Sequence, residues 1–367
     1  MDIYETSPYL HVHKLSNNEV VMNHLINHLF IYSSHIKEIL EYCSVPHELN
    51  DLTNKYGNEI IKYLKLNKFL LKSENKWELY RPWNLEVETS TVCNWSCVYC
   101  PVRYYNRKPR FMELSLFENI IKKASEYGNF KTIALHSYNE PTIDPNFKQY
   151  IELISQTDIK LELYTNGSAL SEKLTEFLLS KKKCIQKIVF NFPSADRLSF
   201  IKTTGANTFE KSSDSVNRLI KNGIKPILNV IDSNRDGLKD LGQMFPKAKI
   251  NAMPSFNRAG SLKKGGENGK LNNVLKGCSI LIQSANINID GEVFMCSNDF
   301  HHKSVYGNIK ENSFENIFKS KDFQDKIKQV FGFKKADDEL ICLNCDAMSS
   351  GRYHCGIFNT DPSYNSK

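Results

Sequence analysis

Thr91-Val92-Cys93-Asn94-Trp95-Ser96-Cys97-Val98-Tyr99-Cys100-Pro101 sets three thiols in one short loop at the spacing C-x3-C-x2-C, directly after an apolar, strand-like run. Three cysteines packed this closely ask for a metal. Structural zinc sites usually pair two C-x2-C knuckles or add histidines, whereas thiolates converging from one loop hold an iron-sulfur cluster. Zinc or a chance grouping is the other reading that the spacing alone allows. A cubane cluster has four irons, so three protein ligands leave one iron open to a small molecule.

The rest of the chain suits a metal protein of a reducing compartment. Its 367 residues allow two or three domains, and 41% hydrophobic with 24% charged residues is ordinary for a globular protein with a core. The start, residues 1–7, has neither the basic leader nor the apolar stretch of a secretory signal, and no apolar run reaches membrane-spanning length. A cytoplasmic protein with no membrane partner is expected. Ten cysteines that cluster as C-x3-C-x2-C and C-x2-C then point to metal rather than disulfides. The net charge of +7 comes with lysines spread along the chain. It reads as a solvated lysine-rich surface, the alternative being an acidic or phosphate-bearing partner.

Residues 1–80 read as a small separate domain. Strands are expected at 10–14 and 19–22 about an Asn17-Asn18 turn. A helix over 36–43 would carry Ile36, Ile39, Leu40 and Cys43 on one face. Further helices are expected at 46–52 and 60–64, followed by a hairpin of 69–71 and 77–80 about Ser73-Glu74-Asn75-Lys76. Helices closed by a hairpin suggest a winged-helix-like shape. The helix before the hairpin offers few arginines or amides for reading bases, so nucleic acid is not the expected partner. A packing appendage without a ligand is the plainer alternative.

From residue 81 to 260 strands and helices alternate, the pattern of βα units and a parallel sheet. Strands are expected at 85–88, 132–136, 161–164, 187–191, 226–230 and 249–253, with helical apolar spacing over 115–127, 146–156, 171–180 and 208–221. Residues 261–367 open with a Gly- and Lys-rich stretch, 263–269, that reads as a flexible boundary. Thiols then return as Cys278, Cys296, Cys342 and Cys345.

The first cysteine loop, with aromatic Tyr99 just before its last cysteine, resembles the signature of the radical S-adenosylmethionine (radical SAM) superfamily. The resemblance implies a 4Fe-4S cluster on Cys93, Cys97 and Cys100, with SAM chelating the open iron through its amino and carboxylate groups. Reductive cleavage of SAM would yield a 5'-deoxyadenosyl radical. It also implies a partial (β/α)6 TIM-like barrel with its ligand-handling loops at the carboxyl ends of the strands. Ser137-Tyr138-Asn139-Glu140-Pro141 resembles the family's Gly-Gly-Glu-Pro motif, with Tyr138 and Asn139 where glycines are usual. By resemblance Asn139, Glu140 and Pro141 meet the SAM amino group, Glu140 foremost because a carboxylate suits an ammonium. Thr165-Asn166-Gly167 is also common in the family, although alone it marks a turn. Position assigns Asn191 to the ribose hydroxyls and Arg258 to the SAM carboxylate, and Arg258 equally reads as a surface residue.

The later thiols, with Cys278, Gly291 and Cys296 at C-x12-G-x4-C and Cys342-Leu343-Asn344-Cys345 as a C-x2-C turn, resemble the SPASM and twitch extensions of radical SAM enzymes. Four of them would close one auxiliary 4Fe-4S cluster, and a structural zinc is the alternative. A full SPASM domain needs further cysteines and only Cys355 remains, which favours the one-cluster arrangement. Cys355 reads as a spare ligand, a catalytic hydrogen-atom donor or an ordinary thiol; Cys43 and Cys184 read as ordinary. The first domain resembles peptide-recognition domains that precede radical SAM enzymes acting on ribosomally made peptides and bind an extended leader by strand addition. The resemblance thus implies maturation of a leader-bearing peptide substrate by cross-linking or epimerisation, with a reductant such as flavodoxin or ferredoxin. Dehydrogenation of a sugar or cyclitol alcohol is the rival within enzymes, and a metal-containing DNA-binding redox regulator the rival outside them.

Overall fold

Short β-branched and aromatic runs alternate with amphipathic helices throughout the computed structural model, which describes residues 2–15, 18–26, 28–76, 81–231, 235–262, 275 and 277–349. The chain divides into two units, one drawn from residues 1–81, 270–283 and 318–367, the other from 82–269 and 284–317.

In the first unit β1 (Ile3–Thr6) lies between β5 (His47–Glu48) and β6 (Leu70–Lys72) in an antiparallel sheet. Strands β2 (Leu10–Leu15), β3 (Asn18–Asn23) and β4 (His28–Ile31) form a separate antiparallel meander. Helix α1 (Ser34–Tyr42) starts where the Ser33 hydroxyl accepts the Ile36 N–H, a capping contact that satisfies one free donor of the first turn. Gly57, at φ 93°, breaks the chain between α2 (Leu49–Tyr56) and α3 (Asn58–Leu66). Ile39, Leu40, Cys43, Leu52, Ile61, Leu64, Phe69 and Leu70 close a core between these elements. The expected strands at 10–14, 19–22 and 69–71 and the three helices are present. Residues 77–80, the second arm of the expected hairpin, lie outside the described residues, as do 263–269. Strands β1 and β4 carry no turn signal on both sides, and the sequence reading passed over them.

Part of the C-terminal region folds into this unit. Tyr9 and His24 both set their rings edge-on to Phe331, at 5.1 and 5.3 Å, and His24 Nδ1 lies 2.8 Å from the Ser279 hydroxyl. Gly277, at φ 89°, faces the same Phe331, and an added Cβ would stand 2.4 Å from its ring.

The second unit is built on a nine-stranded sheet. β7 (Asn84–Val87), β8 (Thr132–Ala134), β9 (Lys160–Thr165), β10 (Ile185–Asn191), β11 (Ile227–Ile231) and β12 (Lys249–Met253) run parallel in chain order. They correspond to the six expected strands. Beyond β7 the sheet continues with β13 (Ser284–Ile287), also parallel, then β14 (Glu292–Phe294) and β15 (Val305–Asn308), both antiparallel. Residues 284–317 group with the six parallel strands in the second unit, because main-chain pairing to β7 fixes them there. Helices α4 (Leu114–Tyr127), α5 (Phe147–Ser155), α6 (Glu172–Ser180), α7 (Arg197–Thr204), α8 (Phe209–Lys221) and α9 (Arg235–Met244) link the strands. Helix α4 shows the pattern: Leu116, Phe117, Ile120, Ile121 and Ala124 are buried, the three-and-four spacing of one helix face. Among the described residues no helix is long and apolar enough to cross a membrane.

Gly277 and Gly57 separate strain from crowding. Alanine at Gly57, with no atom within 4 Å of the added Cβ and the backbone at φ 93° and ψ 149°, should cost only the penalty of that essentially glycine-only conformation, about 1–3 kcal/mol. Alanine at Gly277 should cost about 1–3 kcal/mol more, from overpacking against Phe331. Equal losses in urea unfolding of the two variants would show that Phe331 yields freely.

Candidate functional site

Beyond β7 the chain runs through Glu88, Thr89 and Ser90, all buried, into the cysteine loop. The base of the loop is closed by a returning segment. Ser90 bridges Phe111, the Met112 N–H donates to the Thr89 carbonyl at 2.7 Å, and the Thr91 hydroxyl donates to the Lys108 carbonyl at 2.7 Å. Further along, the Ser96 and Val98 N–H groups donate to the Thr204 and Thr203 carbonyls of α7, both at 2.9 Å. Trp95 donates its indole N–H to the Thr208 hydroxyl at 2.9 Å and packs edge-on to Phe200. Gly205 sits against Ser96 so closely that a Cβ would lie 2.3 Å from its Oγ.

This fastened loop holds Cys97 buried and Cys93 and Cys100 half-buried. Burial pushes all three thiols up, Cys97 to about 12, and their proximity to one another adds to the shifts of Cys93 and Cys97. Glu140 raises Cys93 further, while Arg258 and Arg107 oppose the rise at Cys100. Three enclosed thiols that stay protonated until positive charge arrives are the donor set a metal cluster requires.

Glu140 is buried at the end of the β8 segment, and its backbone N–H donates to the Val92 carbonyl at 2.9 Å. Its carboxylate accepts four hydrogen bonds: from the Thr142 N–H and hydroxyl at 3.1 and 2.6 Å, the Thr165 hydroxyl at 2.6 Å and the Asn166 N–H at 2.7 Å. Pro141 opens the short 3-10 turn that brings Thr142 back to it. Asn166 extends the link to the cysteine loop, donating to the Asn94 amide oxygen at 2.7 Å, while Asn94 donates to the Ser168 hydroxyl at 2.8 Å. Gly167, at φ 75°, lies against Phe190, where any Cβ would clash. The expected Glu140, Thr165 and Asn166 are thus joined in one network.

Asn139 accepts the Ser137 N–H at 2.9 Å in a local turn. Tyr138 is buried, donates its hydroxyl to the Ser297 carbonyl at 2.6 Å, and packs edge-on to Phe300. Both Cys100 and Cys296 add to the rise that burial gives its hydroxyl. Tyr99 is half-buried, and its hydroxyl, bonded to Cys97, is raised by burial and the thiols. Arg258 and Ala259 both take left-handed φ values near 50°, and the Arg258 guanidinium donates to Asn298 at 3.1 Å. Its charge is felt at Tyr99, Cys100 and Tyr138. Asn191 ends β10 in register with Asn229, which accepts from Asn251 at 2.8 Å. A cavity of about 690 Å³ opens beside the loop, lined by Val98, Tyr99, Tyr104, Ile231, Phe256 and Leu262 among others.

The later cysteines fall in both units. In the first unit Cys278, Cys342 and Cys345 are half-buried or buried, and Cys345 is pushed up to about 12 by burial, with Cys278 contributing. In the second unit Cys296 follows β14, and its sulfur accepts the Asn298 N–H at 3.4 Å. Cys355 lies outside the described residues. Among the described residues no three His, Cys, Asp or Glu side chains converge closely enough to enclose one metal ion.

Two features escaped the sequence reading. Arg107 forms a two-pronged pair with buried Glu88 at 2.6 and 2.7 Å, joining the segment after the cysteines to the strand before them. Charged residues also stand inside the parallel strands. Glu162 meets Lys187 at 2.8 Å and Tyr164 at 3.2 Å, and His136, held down to about 4 by burial and nearby cations, lies against Tyr164. Alternation in Leu85-Glu86-Val87-Glu88 and Leu161-Glu162-Leu163-Tyr164 was the available signal, since doubly covered parallel strands are usually apolar throughout.

With this geometry, the comparisons with known proteins agree. Residues 87–233 match the radical SAM superfamily, and residues 278–346 match the SPASM iron-sulfur cluster-binding domain. The chain carries a radical SAM domain followed by a SPASM domain. The S-adenosyl-L-methionine-dependent 2-deoxy-scyllo-inosamine dehydrogenase of Niallia circulans is 24% identical over 273 residues, 72% of this chain and 93% of that protein. Among solved structures, Streptococcus suis SuiB bound to its precursor peptide SuiA is similar at TM-score 0.58 and 13% identity, covering 94% of both chains. BtrN in complex with AdoMet and 2-DOIA is similar at TM-score 0.52 and 22% identity, covering 72% of this chain and 93% of that one. The radical SAM domain implies SAM with a 4Fe-4S cluster, and the SPASM domain implies auxiliary iron-sulfur clusters.

Changing Glu88 to Gln leaves Arg107 enclosed with an uncompensated charge and should cost about 3–5 kcal/mol. Glu88→Gln combined with Arg107→Met should recover most of that loss in chemical denaturation. A double variant no more stable than the single one would refute the pair as the cause.

Proposed function

We propose that this chain removes a hydrogen atom from a ribosomally made peptide, leading to a cross-link or an epimerised residue. The observation that carries the radical reading is the loop of Cys93, Cys97 and Cys100, anchored at its base on Thr89 and Lys108 and at its side on Thr203 and Thr204. These three thiolates would hold the 4Fe-4S cluster, whose bound SAM supplies the radical. The thiols fit it: burial and crowding disfavour their charged forms, and a cationic cluster reverses that balance.

The surrounding residues position and enclose. Glu140 fixes the ends of β8 and β9 against the cysteine loop. Asn139 and Pro141 shape that turn, Tyr99 covers the thiols, and Arg258 brings a positive charge to the place a carboxylate would take. Asn191 stands at the carboxyl end of β10, where ribose hydroxyls would be met. Cys278, Cys342 and Cys345 supply thiolates to the auxiliary cluster, with Cys296 the remaining thiol of that set. An electron donor of the flavodoxin or ferredoxin type serves the enzyme, in a reducing compartment such as the cytoplasm.

Two observations support a peptide substrate. The likeness to peptide-bound SuiB extends through the first unit, over 94% of the chain. In that unit α3 and β6 flank a cavity of about 550 Å³ with Tyr4, Ile61 and Leu70 in its lining and Lys62, Lys65, Lys68 and Lys72 around it. A winged-helix-like domain of this form takes an extended, acidic leader. The second reading is dehydrogenation of a cyclitol alcohol, favoured by the 24% identity to the inosamine dehydrogenase over 93% of its length.

Anaerobically purified protein should contain iron and sulfide for two clusters and release 5'-deoxyadenosine from SAM under reduction. With Cys93, Cys97 and Cys100 all changed to alanine, one cluster should remain and cleavage should cease. Zinc in place of iron, or cleavage that survives the changes, would refute the radical centre. Changing Lys62, Lys65, Lys68 and Lys72 together to glutamate should abolish binding of the precursor peptide while SAM cleavage persists; a wild-type protein that binds and modifies no peptide but oxidises the inosamine would favour the small-molecule reading.

A further inference from the structure

One row across the nine-stranded sheet is polar where a parallel sheet is normally apolar. In register it reads Asn286 of β13, Glu86 of β7, Ala134 of β8, Glu162 of β9 and Lys187 of β10. Residues paired across parallel strands share a face of the sheet. Glu162 has its own cation in Lys187 at 2.8 Å and a hydroxyl donor in Tyr164 at 3.2 Å.

Glu86 has no cation within ion-pair distance among the described residues. Its neighbours are neutral: Oε1 accepts from the Asn84 amide at 3.2 Å, the Ser284 and Ser297 hydroxyls lie close enough to lower its proton affinity, and Asn84 also donates to Ser284 and accepts from Thr132. The Glu86 Oε2 is buried with no hydrogen-bond partner among the described residues. Next to it, Asn286 is 1% exposed, and its amide oxygen is in the same condition. The Asn286 amide nitrogen reaches only the Met295 carbonyl, at 3.5 Å. Both oxygens lie beside the smallest side chain of the row. Buried acceptors in native proteins are almost always satisfied: a protonated Glu86 can donate to the Asn286 oxygen itself, whereas the ionised pair calls for a donor from outside the chain.

We infer that Glu86 and Asn286 form a subsite for a primary ammonium group of the substrate. An ammonium carries three N–H donors and a positive charge, enough to satisfy both oxygens and to compensate the carboxylate. A hydroxyl would leave the carboxylate's charge unmatched, and a bound water would do the same. The ammonium has two possible sources, the side chain of a lysine in a peptide or the amino group of an aminocyclitol, and the subsite is the same for either. The inference goes beyond the peptide reading and does not depend on it.

Charge at this subsite varies with pH. Burial raises the Glu86 carboxyl to about 7; Glu162 adds to the rise, and Ser284, Ser297 and Lys187 oppose it. The charged and titratable groups facing Glu86 are Glu162 and Tyr164 of β9 and Lys187 of β10. Below that value the carboxyl is protonated and neutral. Above it the carboxylate is ionised, so ammonium affinity rises as pH passes through it and then levels off.

The test uses the anaerobic full-length holoprotein with SAM and two ammonium probes, Nα-acetyl-lysine methylamide and 2-deoxy-scyllo-inosamine. Each is compared with the counterpart bearing a hydroxyl in place of the amino group. Calorimetric or ligand-observed NMR titration at pH 8 should show at least one ammonium probe binding about tenfold tighter than its hydroxyl counterpart. That preference should shrink at pH 6 and vanish in Glu86→Gln. Asn286→Ala should weaken binding several-fold and keep the pH dependence. The probe that binds identifies the source of the ammonium. Equal affinity for ammonium and hydroxyl probes, binding of neither, or an undiminished preference in Glu86→Gln would each overturn the inference and leave buried water as the occupant. Glu86→Asp, which retains the charge, guards against a Gln variant that fails to fold: it should retain the preference, and its loss there with an unchanged melting temperature would also count against the subsite. SAM cleavage without probe reports separately on the radical centre, so failure here and failure there are distinguishable.

Discussion

The architecture of the site depends on one buried carboxylate. Glu140 accepts hydrogen bonds from Thr142, Thr165 and Asn166, and its own N–H holds the Val92 carbonyl just before the first cysteine. A charged group enclosed without partners is expensive, whereas one that accepts several short hydrogen bonds becomes a fixed joint. Burial still holds its proton affinity above the ordinary carboxylate value, although each of those donors pulls the other way. Through this group three loop systems share one geometry: the turn after β8, the Thr165-Asn166-Gly167 turn after β9, and the cysteine loop. The Asn94, Asn166 and Ser168 amide and hydroxyl contacts then close the ring.

Sequence alone made the metal loop and the alternation of strands and helices readable, because both are local signals. Thiol spacing is fixed within eight residues, and a helix such as α4 declares its buried face every three or four positions. Pairings across long separations are a different matter. Strand β13 joins β7 with Ser284 opposite Asn84, and Arg110 pairs with Asp290. Nothing near either residue announces these partners. The same limit explains why the region after residue 261 read as one domain. Its pieces are held by contacts made 200 or more residues away, β13 on β7 in one unit and Phe331 against Tyr9 and His24 in the other.

The polar interior of the sheet is a subtler case. A strand with alternating polar and apolar residues usually has one face in water, and Leu85-Glu86-Val87-Glu88 was read only as a strand. In the structure the polar face lies inside. Glu88 is matched by Arg107 and Glu162 by Lys187, so two of the three interior glutamates have cations supplied from the chain itself. Such pairs add little net stability compared with apolar packing. Their effect is to hold those side chains in fixed positions within the sheet interior. What the sequence lacked was the knowledge of which face the helices cover.

The departure from the glycine motif is resolved by the same unit. Tyr138 and Asn139 stand where two glycines are usual, and side chains there need room and partners. Asn139 turns back on its own segment, accepting the Ser137 N–H and reaching Thr89 at 3.3 Å. Tyr138 points toward the segment after β14, where the Ser297 carbonyl and the Phe300 ring receive it. That segment is itself held to the residues after the cysteines by Tyr105 against Phe300 and His301 and by Arg107 over Phe300. A glycine pair would leave the Ser297 carbonyl and the edge of Phe300 without these contacts. The substitution is therefore coupled to the added strands β13, β14 and β15: the larger residues are tolerated because the extended sheet brings a surface for them to pack on, and that surface is positioned by them in turn.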